Sequence, residues 1–490
     1  MSLRESCGVY GVHSKDEKAF PYLYWGMVAQ NHRGHQSHGF ATFNNSLNIH
    51  TELGLIPVTT PEKNGFLKHL SGGVGIANVR YATSGNSDPM TLKRNAMPIL
   101  KSNNKRSIAI SFNGNIVNVL GLQEKMGVDP KLSDAHTLCN IIFDEYIETG
   151  SVAEAARTCM EAVDGSLSVT GVTTDGVLFA FKNPIGIKPL CYGCSSKAEA
   201  FSSESVGLDV NNIDLDHELK PGEFMTVEEG LASSECLISC RKTAFCAFEY
   251  AYFARPDSIF NNKYVYKART DFGGNLAQRF QDTASRCDVV ISLPETANDA
   301  AYGFHEESGL PWDMATRRNR YVTHRAFITG EEERDQVVLR KVNILKPRVK
   351  GKKLAVVDDS IVRGDTTRSA VARFKAAGAE EIHLFITFPC IIDPCFYGVD
   401  MATFGELIGV RKNPEEIAEE LGVDSVNYQP IDDYVSATGL KRDQLCLGCV
   451  TGDYPTPMAN QLAKYMRERI VNGEEERGRI YEAPKITAGL

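Results

Sequence analysis

The sequence predicts an α+β domain followed by an α/β domain, on three observations. A chain of 490 residues is too long for one ordinary core, which implies two or three domains. As far as about Thr226, short β-rich runs broken by glycine, such as VGIANVRYAT and SLSVTGVTTDGVLFAF, surround helical patterns such as DAHTLCNIIFDEYIE. From about Cys246, continuous apolar runs such as KKLAVVDDS and EIHLFITFP alternate with helices, which is typical of a buried parallel sheet.

Composition narrows the class of protein. The apolar content of 42% and charged content of 23% are those of a soluble globular protein. A formal charge of −9 disfavours nonspecific binding to nucleic acid or acidic membranes. The chain shows no secretory signal and no apolar run of membrane-spanning length, so we expect a cytoplasmic protein. In that compartment its 13 cysteines indicate reduced thiols, a metal site or catalysis rather than disulfides.

The segment LAVVDDSIVRGDTTRSAV predicts a phosphate site. An apolar strand ends at Asp358 and Asp359, a short loop follows, and Thr366 or Thr367 can cap a helix that starts near Arg368. Ligands of open α/β sheets bind beyond the carboxyl ends of strands, where loop amides, hydroxyls and a helix N-terminus favour an anion. Two carboxylates beside it can bind sugar hydroxyls or Mg²⁺, so the site suits a phosphorylated ribose. Other Mg²⁺-dependent folds with paired aspartates are the alternative.

This loop resembles the signature of the phosphoribosyltransferases, and VVDDSIVRG more narrowly resembles the glutamine phosphoribosylpyrophosphate amidotransferases. Where the family usually reads Arg-Gly-Thr-Thr, this chain has Asp365 after the glycine, and we expect its carboxylate to point outward. RNRYVTHRAFI and LRKVN resemble the family loop that closes over pyrophosphate, and the family's Pro-Asp-Ser is Pro294-Glu295-Thr296 here. The resemblance implies that phosphoribosyl pyrophosphate contacts Glu295, Thr296, Arg320, Arg325, Lys341, Asp358, Asp359, Ser360, Arg363, Gly364, Thr366 and Thr367. It also implies Mg²⁺ on Thr296, Asp358 and Asp359.

Six segments of the first half, CGVYGV, NHRGHQSHG, NVRYATSG, FNGNIVN, LSDAHTL and NPIGIKPL, resemble in order the glutamine amidotransferase domain of the N-terminal nucleophile class. In that class the nucleophile is a terminal cysteine, because its own α-amine acts as the general base. An internal Cys7 lacks this base, since a peptide nitrogen cannot accept the proton. The resemblance therefore implies removal of residues 1–6 as a propeptide.

The same resemblance assigns the other groups of the glutamine site. It implies that the Asn113 side chain and the Gly114 amide form the oxyanion hole. It implies that Arg80 pairs with the glutamine α-carboxylate, that Asp134 holds the α-ammonium, and that Arg33 lies near the nucleophile as a glutamine-binding residue. The chain departs from the family pattern at three positions within these motifs: His35, Phe112 and Asn183.

Four cysteines form a further candidate site. The segment QLCLGCVTGDYP carries two of them in a C-x-x-C, and the others lie in AFCAFEYAYFARPDS and DPCFYGVD. Spacing alone does not choose between zinc and an iron–sulfur cluster. The three segments resemble the amidotransferases that carry a [4Fe–4S] cluster, which implies the ligands Cys246, Cys395, Cys446 and Cys449. We expect Cys236, Cys240 and Cys390 to be ordinary thiols.

The resemblance covers nearly the whole chain and implies one enzyme with two sites. We expect a four-layer αββα amidotransferase domain of the Ntn-hydrolase type, then a parallel-sheet phosphoribosyltransferase domain. The expected ranges are a propeptide (1–6), the amidotransferase domain (7–240), the phosphoribosyltransferase domain with the cluster ligands (241–460), and a C-terminal helix and tail (461–490). Ammonia from glutamine would attack C1 of phosphoribosyl pyrophosphate and give 5-phosphoribosylamine, glutamate and pyrophosphate, the first step of purine synthesis. Feedback by purine nucleotides and a homodimer or homotetramer are further expectations from the family.

Two alternatives stay open at this stage. One is a regulatory paralogue that binds phosphoribosyl pyrophosphate without turnover, which the departures at Phe112, Glu295, Ala297 and Asp365 would suit. The other is an amidotransferase that aminates a sugar phosphate. The loop from Asp358 to Thr367 argues against the second, because a sugar isomerase has no use for a pyrophosphate leaving-group site. A nucleic-acid-binding regulator is disfavoured by the negative charge and the lack of a helix-turn-helix signal.

Overall fold

A computed structural model describes residues 7–58, 69–81, 88–240, 242–318 and 342–472. The predicted propeptide (1–6) and residues 473–490 of the predicted tail lie outside this description. Within the described ranges, no helix has both the length and the apolar character needed to cross a membrane.

The first half is built on two antiparallel sheets. Its strands are β1 (Gly8–Ser14), β2 (Ser37–Asn44), β3 (Ser46–Leu53), β4 (Val74–Arg80), β5 (Ile99–Ser102), β6 (Ser107–Ile116), β7 (Gly165–Thr173), β8 (Leu178–Lys182), β9 (Cys191–Cys194), β10 (Ala198–Ser202), β11 (Asp214–Glu218), β12 (Glu223–Glu228) and β13 (Leu231–Cys236). Its helices are α1 (Ala19–Ala29), α2 (Pro89–Arg94), α3 (Val119–Met126), α4 (Asp134–Thr149), α5 (Val152–Ala162) and α6 (Val206–Asp209). Among the described residues, one sheet has the order β11-β9-β10-β1-β4-β2-β3 and the other β13-β12-β8-β7-β6-β5.

These sheets pack face to face between layers of helices. Apolar side chains from both sheets, Val9 and Ile76 from one and Val172 from the other among them, form the inner core. A second cluster joins the outer face of the first sheet to α1, and a third joins the outer face of the second sheet to α4 and α5. The order helix, sheet, sheet, helix is the predicted αββα arrangement.

The second half is built on a parallel sheet of the order β17-β20-β21-β22. Its strands are β14 (Phe245–Cys246), β15 (Ile259–Phe260), β16 (Lys263–Tyr264), β17 (Val289–Ser292), β18 (Thr316–Arg318), β19 (Val342–Ile344), β20 (Lys353–Asp358), β21 (Glu381–Ile386), β22 (Ser425–Tyr428) and β23 (Leu445–Cys446). Its helices are α7 (Val265–Arg279), α8 (Gln281–Ala284), α9 (Asn298–Ser308), α10 (Lys346–Val349), α11 (Asp365–Ala376), α12 (Pro414–Leu421), α13 (Ile431–Thr438), α14 (Gly448–Thr451) and α15 (Pro457–Val471). Both faces of this sheet are buried, which explains the continuous apolar runs of its strands.

Helix α11 starts earlier than its sequence suggests. The expected start near Arg368 with a threonine cap is wrong: the helix begins at Asp365, and Gly364 precedes it with φ +81°. The left-handed conformation of this glycine turns the chain into the helix three residues early, so both threonines lie in the first turn.

Helices α7 and α9 are in backbone contact through two glycines. A Cβ on Gly273 would lie 1.8 Å from the carbonyl oxygen of Ala300, and one on Gly303 would lie 1.9 Å from that of Thr270. A methyl group at either position would therefore force the helices apart.

The two halves share one apolar core. Val117 and Ile187 of the first half pack in one cluster with Phe245, Phe396 and Tyr397 of the second. Strand β13 ends at Cys236 and β14 begins at Phe245, so the boundary predicted at residue 240 falls between the sheet systems. The exact domain ranges stay a prediction.

Candidate functional sites in both halves

Cys7 directly precedes β1, beside the end of β4. Gly8 pairs with Val79 across these strands, which brings the cysteine next to Arg80. The thiol is 6% exposed and donates a hydrogen bond to the carbonyl oxygen of Tyr81 at 3.5 Å. Burial raises the pKa of Cys7, and the charge of Arg80 opposes this rise only in part. Without a base the thiol is therefore protonated at neutral pH, and it needs one to act as a nucleophile.

Strand β6 supplies the predicted oxyanion hole. Asn113 is fully buried, and neither its amide nitrogen nor its oxygen has a hydrogen-bond partner among the described residues. An unsatisfied buried amide is costly, and it is suited to a ligand that bonds to it. Gly114 has φ +155°, and a Cβ there would lie 1.8 Å from the carbonyl oxygen of Ser166, so only glycine fits. Cys7 belongs to the same apolar cluster as Phe112, so the cysteine packs in the core that β6 helps to form.

Two opposite charges flank the thiol. Arg80 ends β4 and is 3% exposed, and Asp134 begins α4 and is 6% exposed. Both charges act on the Cys7 thiol, as does that of the buried Lys188. A cation and an anion close to the same thiol complement the carboxylate and the ammonium of an α-amino acid. Lys188 was not selected from the sequence, because one lysine in NPIGIKPL carries no pattern.

Arg33 is held by two buried carboxylates. Its Nη1 lies 2.5 Å from Glu204, its Nη2 lies 2.7 Å from Glu249, and its Nε donates to the carbonyl oxygen of Cys7 at 3.1 Å. All three charged side chains are fully buried. Since most of its donors are used within the protein, these contacts favour a positioning role over direct binding of glutamine. Glu204 and Glu249 were missed, because they lie 171 and 216 residues from Arg33 in sequence.

The phosphate loop follows β20 at the carboxyl edge of the parallel sheet. Asp358 is 9% exposed, and the Asp359 carboxylate accepts hydrogen bonds from Ser360, at 2.7 Å, and from Thr296. Burial, and then the neighbouring Asp359, raises the pKa of Asp358 well above its ordinary value. Burial also raises the pKa of Asp359 against the opposing effect of its hydrogen bonds. Asp358 is therefore buried beside a half-buried Asp359 whose charge opposes its ionisation, and such a pair suits a cation or sugar hydroxyls.

The segment after β17 lies beside this loop. Ser292 is in register with Val357 of β20, and the amide of Leu293 donates to the Val357 carbonyl oxygen at 3.0 Å. The structure therefore brings together Thr296 and Asp359, which are 63 positions apart in the chain. Glu295 of the same segment is exposed.

The remaining predicted residues of the loop differ in exposure. Thr366 is exposed and Thr367 is buried, while the guanidinium of Arg363 pairs with Glu406. The Asp365 carboxylate is exposed and lies 3.3 Å from Arg368, which agrees with the expectation that it points outward. Arg320, Arg325 and Lys341 lie outside the described residues.

Arg269 is a buried cation that the sequence analysis missed. It lies on α7, and its Nε and Nη2 donate to the carbonyl oxygens of Tyr250 and Ala254, each at 2.8 Å. Burial lowers its pKa, and the charges of Asp359 and Asp299 oppose this. Its helical segment reads as an ordinary amphipathic pattern, so no sequence signal marks it.

The four predicted cysteine ligands line a single cavity. Cys246 and Cys446 are directly opposite each other on β14 and β23, and Cys395 and Cys449 complete the lining. All four are free thiols, and the neighbouring cysteines raise the pKa values of Cys446 and Cys449 further, after the larger effect of burial. No group of three or more His, Cys, Asp or Glu side chains among the described residues is spaced to hold one metal ion. The thiols therefore surround a space rather than converge on a point.

Comparisons with known proteins agree with this arrangement. The glutamine amidotransferase domain family matches residues 86–209. The amidophosphoribosyltransferase of Methanothermobacter thermautotrophicus is 36% identical over 471 residues, which cover 94% of this chain and 97% of that protein. The glutamine phosphoribosylpyrophosphate amidotransferase of B. subtilis, solved with ADP and GMP, superposes with a TM-score of 0.83 at 32% identity and covers 92% of this chain and 98% of its own. A structure described as the allosteric regulatory enzyme of purine biosynthesis has the same TM-score of 0.83 and identity of 32%.

These similarities extend over both halves, so they disfavour an amidotransferase joined to a sugar-isomerase domain. They confirm the predicted fold class, an N-terminal amidotransferase fold followed by a phosphoribosyltransferase fold, and the predicted enzyme class. The chain belongs to the amidophosphoribosyltransferase family.

Proposed function

We propose that this chain makes 5-phosphoribosylamine from glutamine and phosphoribosyl pyrophosphate, with the residues assigned below. The relatives carry the name of this activity over nearly their full length. Two observations carry the residue assignment: Cys7 lies beside Arg80 with the charge of Asp134 acting on it, and the buried side-chain amide of Asn113 has no partner among the described residues.

In the glutamine site, removal of residues 1–6 would give Cys7 a free α-amine as general base. The amine takes the thiol proton, and the thiolate attacks the side-chain amide carbon of glutamine. The Asn113 amide and the Gly114 N–H stabilise the oxyanion, and the amine returns the proton to the departing ammonia. Water then hydrolyses the thioester to glutamate. Arg80 and Asp134 hold the α-carboxylate and α-ammonium of the substrate, and Arg33 positions the Cys7 backbone.

In the second site, ammonia attacks C1 of phosphoribosyl pyrophosphate as the bond from C1 to the pyrophosphate oxygen breaks. Asp358 and Asp359 accept hydrogen bonds from the ribose hydroxyls. The loop amides from Ser360 to Gly364 and the hydroxyls of Thr366 and Thr367 suit the 5-phosphate. By family position, Arg320, Arg325 and Lys341 would neutralise the departing pyrophosphate, and Glu295 would contribute to the same site. A sequestered path between the sites would keep ammonia from being protonated.

The donor sets at both predicted cofactor sites fit their groups. Thr296, Asp358 and Asp359 present oxygen ligands, which suit a bound Mg²⁺ that would neutralise charge on the pyrophosphate. Cys246, Cys395, Cys446 and Cys449 surround a cavity, which favours a [4Fe–4S] cluster over a single zinc ion. Since the reaction transfers no electrons, we assign the cluster a structural role.

Regulation and assembly follow the relatives in this proposal. The B. subtilis structure holds ADP and GMP, which supports purine nucleotides as feedback effectors of this chain. We propose that the chain forms a homodimer or homotetramer and works in the cytoplasm.

A coupled assay with Cys7→Ala tests the proposal. The variant should lose glutamine-dependent release of pyrophosphate from phosphoribosyl pyrophosphate and keep the ammonia-dependent release, because only the first reaction uses the thiol. Release from neither nitrogen source by the unsubstituted chain would instead favour a non-catalytic protein that binds phosphoribosyl pyrophosphate. Retained glutamine use by the variant would overturn the assignment of Cys7.

A further inference from the structure

The loop that carries Cys395 is hydrogen-bonded to the strands of the glutamine site. We call residues 395–401 the Cys395 loop. The side-chain nitrogen of Asn115 donates to the carbonyl oxygen of Phe396 at 2.8 Å. The hydroxyl of Ser166 donates to the carbonyl oxygen of Tyr397 at 3.1 Å. Both donors are fully buried, so no water competes for these bonds.

The two donors also bond to each other. Asn115 and Ser166 are directly opposite each other on β6 and β7, and the backbone N–H of Asn115 donates to the Ser166 hydroxyl at 3.1 Å. Ser166 thus accepts from β6 and donates to the Cys395 loop. Asn115 directly follows Gly114 of the oxyanion hole. A shift of the loop would therefore displace the residue next to Gly114.

The backbone of the loop also packs on Gly114. A Cβ on Gly398 would lie 3.2 Å from the carbonyl oxygen of Gly114 and 3.5 Å from Cε of Lys188. Gly398 has φ +95°, a conformation that other residues rarely adopt. The loop and the oxyanion strand are therefore in contact without an intervening side chain.

The charge of Lys188 connects the same two regions. Lys188 is fully buried, with its Nζ 5.7 Å from the centre of the Phe253 ring. Its charge acts on Cys7 of the glutamine site and on Cys246 and Cys446 of the cysteine cavity. One buried cation thus lies within electrostatic reach of both sites.

We propose that the Cys395 loop is a structural part of the glutamine site, and that Asn115 and Ser166 are positioning residues that fix the oxyanion strand against it. The inference rests on the proposed function of Cys7 and Asn113. Because the oxyanion exists only during the reaction, a displaced strand should slow turnover of bound glutamine and leave its binding unchanged. Reaction with free ammonia does not use the oxyanion hole, so it should not change.

Three variants of the full chain test this from both sides of the contact. Asn115→Ala removes the bond to Phe396, and Ser166→Ala removes both the bond to Tyr397 and the acceptor of the Asn115 N–H. Gly398→Ala pushes the loop from Gly114. The first two should each lower the glutamine-dependent kcat by about fivefold to tenfold, which corresponds to the loss of a hydrogen bond. Gly398→Ala should lower it as well, and all three should leave the KM for glutamine and the ammonia-dependent kcat unchanged. The matched control is Asn118→Ala, which loses two bonds, one donated to the carbonyl oxygen of Ala162 at 2.9 Å and one accepted from the backbone N–H of Asp164 at 3.0 Å. It should leave both reactions unchanged, since neither bond reaches the Cys395 loop.

Two further measurements separate this effect from misfolding. Bound iron per chain and the thermal unfolding midpoint should stay close to those of the parent in the Asn115→Ala variant. If one variant does not fold, the others still decide, since they perturb the contact differently. Equal loss with glutamine and with ammonia in the folded variants, or no loss with either, would overturn the proposal. Failure of the proposed function would be recognised separately, as a parent chain that makes no phosphoribosylamine from either nitrogen source.

Discussion

Replacement of Arg33 by methionine should destabilise the protein strongly at neutral pH. The side chain of methionine is similar in length but carries no charge, so Glu204 and Glu249 lose the cation between them. Both carboxylates are fully buried and cannot recover solvation in water. The carbonyl oxygen of Cys7 also loses the hydrogen bond from Nε.

The size of the effect follows from the geometry. At an effective dielectric of about 20, unit charges at the 2.7 Å separation of Arg33 and Glu249 attract by about 6 kcal/mol, part of which desolvation cancels. Breaking a buried pair by removal of one partner typically costs about 3–5 kcal/mol. For a domain of ordinary size this corresponds to a fall of about 6–20 °C in the unfolding midpoint.

The deficit should depend on pH. Burial opposes the ionisation of Glu204, but the charges of His32 and Arg33 and the hydrogen bonds to it outweigh this effect and lower its pKa. Its contribution to stability is therefore present above the unfolded pKa of about 4.3 and is lost as the pH falls below that value. In the Arg33→Met variant the buried carboxylates destabilise the fold while they are ionised. In acid they are protonated, and this destabilising effect is lost. The difference between parent and variant should therefore be largest near neutral pH and should shrink below about pH 4.

Thermal unfolding at a fixed scan rate, followed by circular dichroism, measures the effect. Arg94→Met is the matched control, because its pair with Asp129 is exposed and should contribute less than about 1 kcal/mol. Adding Glu249→Gln to Arg33→Met removes one uncompensated charge and should recover at least about 1 kcal/mol. A midpoint for Arg33→Met equal to that of Arg94→Met, or no recovery in the double variant, would refute the argument.

Three further predictions concern the chemistry of the two sites. The intact mass of the active enzyme should correspond to a chain that begins at Cys7, because only a terminal cysteine has an α-amine as base. Asn113→Ala should lower the glutamine-dependent kcat by about 10²–10³ with little change in KM, the usual effect of one lost oxyanion donor. Chemical analysis should return about four iron atoms and four acid-labile sulfides per chain, and Cys446→Ser should lower both.

Each of these has a clear contrary result. An active enzyme whose mass still includes Met1 would refute the proposed removal of residues 1–6. A rise in KM alone for Asn113→Ala would mean that the amide binds glutamine rather than the oxyanion. Stoichiometric zinc without iron would overturn the cluster assignment.

The features predictable from the sequence were those with local or periodic signals. The apolar run ending at Asp358 predicted a buried parallel strand with its loop at the carboxyl edge, and the structure has that strand as β20. The alternating pattern with glycine breaks predicted the antiparallel sheets of the first half. The C-x-x-C at Cys446 selected a candidate site whose lining the structure brings to one cavity.

The contacts that join distant segments could not be predicted in this way. Glu249 meets Arg33 across 216 positions, and Asn115 meets Phe396 across 281, with no repeated pattern between them. The start of α11 was misplaced because a threonine before a helix usually caps it, whereas here the left-handed Gly364 makes the turn. Such outcomes are set by tertiary packing rather than by local preference.

The glycine contact between α7 and α9 has a consequence for the phosphate site. With backbone against backbone at Gly273 and Gly303, no side chain can rearrange between the two helices. Arg269 is carried by one helix and Thr296 lies two residues before the start of the other, so both groups are held at a set separation around Asp359 before any substrate arrives. The spacing of Arg269, Thr296 and Asp359 is thus set when the chain folds, and any adaptation to substrate must come from outside this pair of helices.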